Sequence, residues 1–221
     1  MPKLDFIYKR HSIRRFKNEI VPMNDLKEII KAAIHAPSGK NAQNWHFVII
    51  RNSEKINEII NVVEIKNAEI AAKIIDKEIK GFFTKVLKYH TAFRNAPCLI
   101  LVYAGNYKPT GLEEFKAINE CKEVIQELLD TAPGIQGVAA AMENLLLAAA
   151  ELGYGTCWMT GPNYAAKEIG DAIDFHKDGY SLMALTPIGL PLDEEIKSPH
   201  RKCVEDVMTV IAWINRNLQK E

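Results

Sequence analysis

Hydrophobic residues recur at helical spacing in three stretches of the chain. In the first stretch, Asn24 offers an N-cap for a helix that ends near His35, ahead of a Pro-Ser-Gly turn. Ser53 offers the cap of a second helix with an isoleucine and valine stripe on one face. The strongest pattern predicts a helix from Ile135 to Leu152. This helix is apolar nearly all round, so we expect it to be buried in a core or in a subunit interface.

Short apolar runs predict a set of buried strands. These runs are His46–Ile50, Cys98–Tyr103, Thr156–Thr160, Leu182–Ile188 and a last β-rich run at Val207–Trp213. We expect the last run to pair with something, and a second subunit is a good candidate. A short helix from about Tyr164 to Ile173 precedes the fourth run. Helices and strands mix without regular βαβ alternation, which favours an α+β fold with a mostly antiparallel sheet flanked by helices.

The chain contains no internal repeat, low-complexity tract or Ser/Gly linker. We therefore predict a single domain over residues 1–221. Within this domain, residues 64–130 form a helical excursion without a recognisable motif, and residues from about 204 to 221 form a C-terminal arm.

Composition narrows the class of protein. Hydrophobic residues make up 48% and charged residues 25%, which is typical of a soluble globular domain and excludes disorder. Lys plus Arg and Asp plus Glu are 28 each, and this neutral balance argues against binding nucleic acid or an anionic membrane. We expect no signal peptide and no membrane span, because no apolar run reaches about 18 residues. Four separated cysteines without a CxxC pair favour reduced thiols in the cytoplasm.

Several familiar catalytic motifs are missing. The four cysteines and six histidines are not at ligand spacing, so we expect no metal site. Gly153 and Gly155 follow a helix instead of a strand, which contradicts a dinucleotide-binding fingerprint. A phosphate loop, a nucleophile elbow and an HExxH motif are also lacking. Hydrolase, kinase and zinc-protease interpretations are therefore unsupported.

Residues 10–16, RHSIRRF, concentrate three arginines, a histidine and a serine. In an extended segment, Arg10, Ser12 and Arg14 would share one face. Guanidinium groups match phosphate geometry, and a serine hydroxyl completes such a cradle. The alternative interpretation is a solvated basic turn.

Other polar clusters lie where helices and strands meet. The loop 36–45 carries Ser38, Asn41 and Gln43, whose neutral donors and acceptors suit sugar hydroxyls or a heterocycle edge. Three further clusters are Trp158–Pro162, Pro187–Pro191 and Pro199–Lys202. Gly161 allows close approach of a ligand to the backbone. Each cluster alone is equally compatible with an ordinary loop.

The order of these motifs closely resembles that of the nitroreductase family of FMN-dependent oxidoreductases. The resemblance spans about residues 6–61 and 134–206 and is thin between 64 and 130. It implies an intertwined α+β homodimer with two FMN sites at the interface. Such an assembly agrees with the all-round apolar helix and the unpaired apolar run.

The resemblance also implies which residues contact FMN. Arg10, His11 and Ser12 match positions near the phosphate and ribityl chain, and Arg14 matches one near the pyrimidine edge of the ring. Arg201 matches a late phosphate-binding arginine. The remaining positions are Pro37, Ser38 and Asn41, which reach the FMN of the other subunit, and Trp158, Met159, Thr160 and Gly161, which face the flavin ring.

The sequence departs from the family pattern at one position. Asn44 stands where the family usually has a proline before the tryptophan, so the loop loses a fixed backbone angle and gains a donor. Some members also contribute a lysine from the region before the CLILVY strand, for which Lys85 and Lys88 are the candidates.

The resemblance implies transfer of reducing equivalents from NADH or NADPH through FMN to a small acceptor, with ping-pong kinetics. Nitroaromatics, quinones and free flavins are the implied acceptors. No acid–base dyad is expected, and Arg14 would stabilise negative charge on the reduced ring.

Other functions remain open at this point. Within the same fold, some relatives dehalogenate iodotyrosine and others fragment reduced flavin. A non-catalytic dimer that stores or senses FMN would share every binding motif. A globular dimer without a cofactor is the least specific alternative.

Overall fold

A four-stranded antiparallel sheet forms the centre of the fold. The computed structural model describes residues 4–193 and 199–211. The strands are β1 (Trp45–Ile50), β2 (Cys98–Gly105), β3 (Gly155–Thr156) and β4 (Tyr180–Gly189). They lie in the order β1-β2-β4-β3, and every pair of neighbours is antiparallel. The predicted α+β class with an antiparallel sheet is confirmed.

Nine α-helices surround the sheet in the described part of the chain. They are α1 (Asp5–Lys9), α2 (Met23–Ala33), α3 (Ser53–Lys73), α4 (Lys77–Lys85), α5 (Leu87–His90), α6 (Leu112–Ala117), α7 (Lys122–Asp130), α8 (Pro133–Glu151) and α9 (Ala166–Ala172). Short 3₁₀ turns occupy Gly39–Asn41, Gly161–Ala165 and Val204–Asp206. The predicted excursion at 64–130 contains the end of α3 and helices α4 to α7, with β2 and several loops between them.

Strand β2 is buried on both faces and separates two hydrophobic layers. Cys98, Ile100 and Val102 face the layer formed by α2 and α8. Leu99 and Leu101 face the opposite layer, which contains α3 and α9. This double burial explains why β2 reads as a continuous apolar run instead of an alternating one.

Helix α8 is the long apolar helix that the sequence predicts. Its buried face includes Val138, Met142, Leu145 and Leu146, which pack in the same layer as α2. Ile135, near the start of α8, and Leu152, the residue after its end, are exposed within the single chain.

Two predicted helix caps are wrong by a residue or more. Asn52, not Ser53, caps α3, because its Oδ1 accepts hydrogen bonds from the backbone N–H of Glu54 and Lys55 at 2.8 and 3.2 Å. Helix α2 begins at Met23 after Pro22, so Asn24 lies inside its first turn. Several residues near the start of a helix can carry a capping side chain. The one that caps is the one whose backbone is extended where the chain enters the helix.

The predicted strand Thr156–Thr160 is also wrong beyond its first residue. Only Gly155 and Thr156 form a continuous ladder with β4. The Cys157 N–H then donates to the side-chain hydroxyl of Thr186 at 3.2 Å, and Met159 makes an isolated bridge with Leu185. The ladder is interrupted because a side chain takes the place of a backbone acceptor.

The predicted C-terminal strand does not form within the described chain. Residues 207–211 pair with no strand there, and Ile211 is 95% exposed. Residues 212–213 of that run lie outside the described residues. A strand needs a partner edge, and this chain alone supplies none to the described part of the run. The proposed role of residues 204–221 as an intersubunit arm stays a prediction.

Within residues 4–193 and 199–211, no helix is long and apolar enough to cross a membrane. Among the same residues, no three His, Cys, Asp or Glu side chains form a group that could hold a metal ion. The four cysteines are all free, with Cys98 and Cys157 buried.

Candidate functional site

The arginine-rich segment runs in extended conformation along the edge of the sheet. The Ile13 N–H donates to the Thr156 carbonyl at 2.7 Å, and Ser12 forms a parallel bridge with the same residue. Ile13 is buried, whereas Ser12 and Arg14 are exposed. The alternation predicted from the sequence is therefore present, with the apolar residue inward and the polar residues outward.

The two adjacent arginines at 14 and 15 have different surroundings. Arg15 Nη1 donates to Asp193 Oδ1 at 3.0 Å, so its charge is paired. Arg14 forms no ion pair with any residue in the described ranges. Arg10 forms a longer ion pair, with its Nε 3.6 Å from Glu143 Oε1 of α8. Arg14 thus has its whole guanidinium group available for an anion, and Arg10 has its other N–H donors available.

These cations converge on the end of β3. Burial raises the pKa of the Cys157 thiol, while nearby Arg14, a hydrogen bond with Ser12 and nearby Arg10 lower it in part. Two motifs that are far apart in the sequence, the segment 10–14 and the segment after β3, therefore lie side by side.

The segment Trp158–Gly161 alternates between inward and outward residues. Met159 is buried, and its N–H and carbonyl both pair with Leu185 at 2.9 Å. Trp158 and Thr160 are exposed on the outer side, and Gly161 opens the following 3₁₀ turn. Trp158, Thr160 and Gly161 can therefore face a ligand. Met159 contributes by anchoring the segment to β4.

The loop that precedes β1 has a strained backbone. Lys40, Asn41 and Gln43 adopt φ values of 57°, 50° and 44°, a region that non-glycine residues rarely occupy. Ser38 Oγ accepts from the Gln43 N–H at 3.0 Å, and Gln43 Nε2 donates to Asn41 Oδ1 at 3.2 Å. Such strain persists only where surrounding contacts impose it, and it is concentrated at binding sites.

Asn44 is one of the contacts that impose this conformation. The side chain is buried, and its Nδ2 donates to the carbonyls of Gly105 at 2.9 Å and Gly134 at 3.2 Å. The donor gained by replacing the family proline is thus used to tie the loop to β2 and α8. A proline at 44 would also force Gln43 towards extended angles, which its φ of 44° excludes.

The arginine-rich segment and this loop contact different faces of α8. Arg10 approaches Glu143, whereas Ser38 lies against Gly137, where an added Cβ would meet the Ser38 Cβ at 3.1 Å. Residues six apart on an α-helix point about 120° away from each other. A single chain therefore does not bring Pro37, Ser38 and Asn41 together with Arg10, Ser12 and Arg14.

The remaining candidates lie apart from this cluster. Arg201 is exposed and makes no hydrogen bond or ion pair with another described residue. Lys85 and Lys88 are both exposed, and Lys88 Nζ lies 5.1 Å from the ring centre of Tyr89.

Two residues near the site were missed by sequence reasoning. Glu143 had a weak signal, because it is a charged residue inside an otherwise apolar helix. His90 had no signal, because its contact with Gly161 joins residues that are far apart in the chain.

The site fits a phosphate-bearing planar cofactor such as FMN. Arg10 and Arg14 supply positive charge, and Ser12 supplies a hydroxyl beside them. His11 Nδ1 is buried without a hydrogen-bond partner among the described residues, so the segment has unused polar capacity. Gly161 carries no side chain, and the space that its Cβ would need is filled by the His90 ring, so any ligand reaches this backbone from another side.

An antiparallel α+β fold with a cationic segment beside the end of β3 fits a protein of the flavin-binding class. The sequence model described as "Nitroreductase family" matches residues 7–190. The chain belongs to the nitroreductase family.

Solved structures with high similarity agree with this assignment. A BluB-like flavoprotein from Clostridium difficile 630 is 41% identical and superposes with a TM-score of 0.90, covering 96% of this chain and 100% of that one. An iodotyrosine deiodinase bound to FMN and 3-iodo-L-tyrosine is 27% identical with a TM-score of 0.65, covering 90% and 95%. Iodotyrosine deiodinase from Thermotoga neapolitana is 27% identical over 201 residues, or 90% of this chain and 94% of that protein.

These relatives bear on the expectations drawn from the sequence. The resemblance to the nitroreductase family is confirmed, and FMN is confirmed as a cofactor carried by this family. The comparisons also support the dehalogenase alternative, because several relatives that match 90% or more of this chain are iodotyrosine deiodinases.

Proposed function

We propose that this chain is an FMN-dependent oxidoreductase that takes reducing equivalents from NADH or NADPH and passes them to a small acceptor. The observation that carries the proposal is the pairing of the segment 10–14 with the end of β3, which gathers two arginines near Cys157, at the start of the segment that leads to Thr160 and Gly161. Bound FMN would supply the redox chemistry, and the protein supplies binding, orientation and charge.

Each proposed contact uses a group that the fold leaves available. Arg10, His11 and Ser12 would bind the phosphate and ribityl chain, with Arg201 as a further phosphate ligand. Arg14 carries a charge without a carboxylate partner in the described chain. It would hold positive charge where negative charge develops on reduction.

The face for substrates would be formed by outward-facing residues after β3. Trp158 is 37% exposed and offers a flat apolar surface next to Thr160. The N–H groups of Thr160 and Gly161 would donate to the ring edge. None of these residues needs to act as an acid or a base. The nicotinamide and the acceptor would use the same open face of the flavin ring in turn.

We propose that the functional unit is a homodimer. The loop with Pro37, Ser38 and Asn41 contacts a different face of α8 from Arg10, so it would complete the site of the second copy instead of its own. The exposed apolar residues Val207, Val210 and Ile211 favour an arm that packs on a partner.

Steady-state kinetics test the proposal. The purified protein loaded with FMN should oxidise NADH or NADPH only when an acceptor is present, and double-reciprocal plots at several acceptor concentrations should be parallel. A nitroaromatic, a quinone and free flavin form the acceptor series. Failure to turn over any of the three with either nucleotide would favour a non-catalytic FMN-storing dimer.

A second candidate function is reductive dehalogenation of an iodinated aromatic amino acid. The similarity to several iodotyrosine deiodinases over 90% or more of the chain favours it. Its test is iodide release from 3-iodo-L-tyrosine by chemically reduced protein without oxygen. Iodide release without nitroaromatic reduction would select this candidate. Loss of bound flavin absorbance in air, with a new small product, would instead select flavin fragmentation.

A further inference from the structure

His90, the last residue of α5, lies directly against Gly161 of the proposed flavin-facing turn. A Cβ added at Gly161 would meet the Cδ2–Nε2 edge of the His90 ring, with Nε2 2.7 Å and Cγ 3.1 Å from that point. The histidine ring therefore fills the space that a side chain at 161 would need. Substitution of this glycine is hindered by one specific neighbour.

The ring of His90 is fixed from its other side by aromatic packing. Its centre is 5.5 Å from that of Tyr164, and the centres of Tyr164 and Phe83 are also 5.5 Å apart. The Tyr164 hydroxyl donates to the Val63 carbonyl at 3.3 Å, which attaches this stack to α3. Three elements thus hold the imidazole in place against the turn.

The chemistry of this imidazole differs from that of a lysine. Burial lowers the pKa of His90, which favours the neutral form of the ring. Its Nδ1 is buried without a partner in the part of the chain that is described. Lys85 and Lys88 are exposed, and neither is among the atoms nearest to Gly161.

We propose, on the basis of the proposed function, that His90 is a positioning residue of the flavin site: it packs against Gly161, fixes the Thr160–Gly161 turn and presents an imidazole ring beside it. Neither Lys85 nor Lys88 then supplies a cation at this place. The potential of bound FMN is accordingly set without a positive charge from this segment, and the charge that stabilises the reduced ring comes from Arg14.

Coupled substitutions test the contact. Gly161→Ala should weaken FMN binding at least about tenfold, because the new methyl group displaces the His90 ring. His90→Ala in the same chain should remove the collision, so that the double variant binds FMN much as His90→Ala alone does. FMN fluorescence quenching measures affinity, and far-UV circular dichroism of each FMN-free variant verifies that it is folded.

A second pair of variants tests the charge. His90→Lys should raise the midpoint potential of bound FMN and alter its visible bands, whereas His90→Gln should leave the potential close to that of the unsubstituted protein. His176→Gln is the control, since His176 is exposed and lies beside Asp171.

The outcomes separate this inference from the function on which it rests. Strictly additive effects of Gly161→Ala and His90→Ala, together with an unchanged flavin spectrum and potential in His90→Lys, would overturn the role of His90 while FMN binding stands. A protein that binds no FMN at all would overturn both.

Discussion

At the scale of single residues, Arg14 and Arg15 provide a matched pair. They are neighbours in the chain, but Arg15 pairs with Asp193 and Arg14 has no acidic partner among the described residues. Arg14→Ala should lower FMN affinity about tenfold to a hundredfold, which corresponds to the loss of about 1.5–3 kcal/mol for a charge-assisted contact. Equilibrium titration with FMN measures the change. Arg15→Ala serves as the control, and equal losses in both variants would contradict the assignment.

Asn44 gives a prediction about stability at the same scale. Asn44→Ala should lower the free energy of unfolding by about 1–3 kcal/mol, because the carbonyls of Gly105 and Gly134 lose a buried donor. Asn44→Pro, which restores the family residue, should cost more, since it also conflicts with the φ of Gln43. Urea unfolding checks both values, with the exposed Asn18→Ala as control. A stabilising proline would show that the loop can adopt another conformation.

At the scale of elements, the Tyr154–Asp25 hydrogen bond joins the turn after α8 to α2. The Tyr154 hydroxyl donates to Asp25 Oδ2 at 2.5 Å. Burial, with the Asp25 bond and charge, raises the pKa of Tyr154 from its ordinary 10.0 to about 12. The folded state therefore holds this proton more tightly than the unfolded chain does. The resulting stability is fully present below about pH 10 and is lost as the pH rises towards about 12.

Tyr154→Phe should remove this part of the alkaline loss of stability. Unfolding midpoints measured between about pH 8 and pH 11 should fall less steeply in the variant than in the unsubstituted chain. Tyr89→Phe is the control, because Tyr89 is 54% exposed. Identical slopes for the unsubstituted chain and Tyr154→Phe would show that the hydrogen bond does not retain the proton.

The elements differ in how well sequence alone predicts them. Strand β2 and helix α8 are evident because their residues are buried on most sides, so nearly every position is apolar. The strand predicted at 156–160 is too long, because the Cys157 N–H bonds to the Thr186 hydroxyl. This contact joins residues 29 positions apart, so no local sequence pattern predicts it.

The same division applies to the site. The alternation of Ile13 and Arg14 could be predicted, because it depends only on the geometry of an extended segment. The contact between His90 and Gly161 could not, because it depends on how α5 packs against the turn after β3. The pairing of Arg15 with Asp193 could not be predicted either, because it joins residues that are 178 positions apart.

At the scale of the whole molecule, the proposed dimer links assembly to cofactor binding. Removing residues from Val204 onward should weaken association and FMN retention together, because a ligand that requires the dimer also stabilises it. Light scattering combined with flavin absorbance measures both properties. A truncated chain that is monomeric, folded and fully loaded with FMN would refute the shared site while leaving the fold intact.

The central claim is that FMN bound near Arg10 and Arg14 accepts reducing equivalents from a nicotinamide nucleotide. Its most direct test is the visible spectrum of the FMN-loaded protein during anaerobic addition of NADH and, separately, NADPH. The account predicts a yellow protein whose flavin absorbance bleaches with about one equivalent of at least one nucleotide and returns when an acceptor is added. A protein that stays colourless with excess FMN, or whose bound FMN keeps its absorbance with both nucleotides, would contradict it.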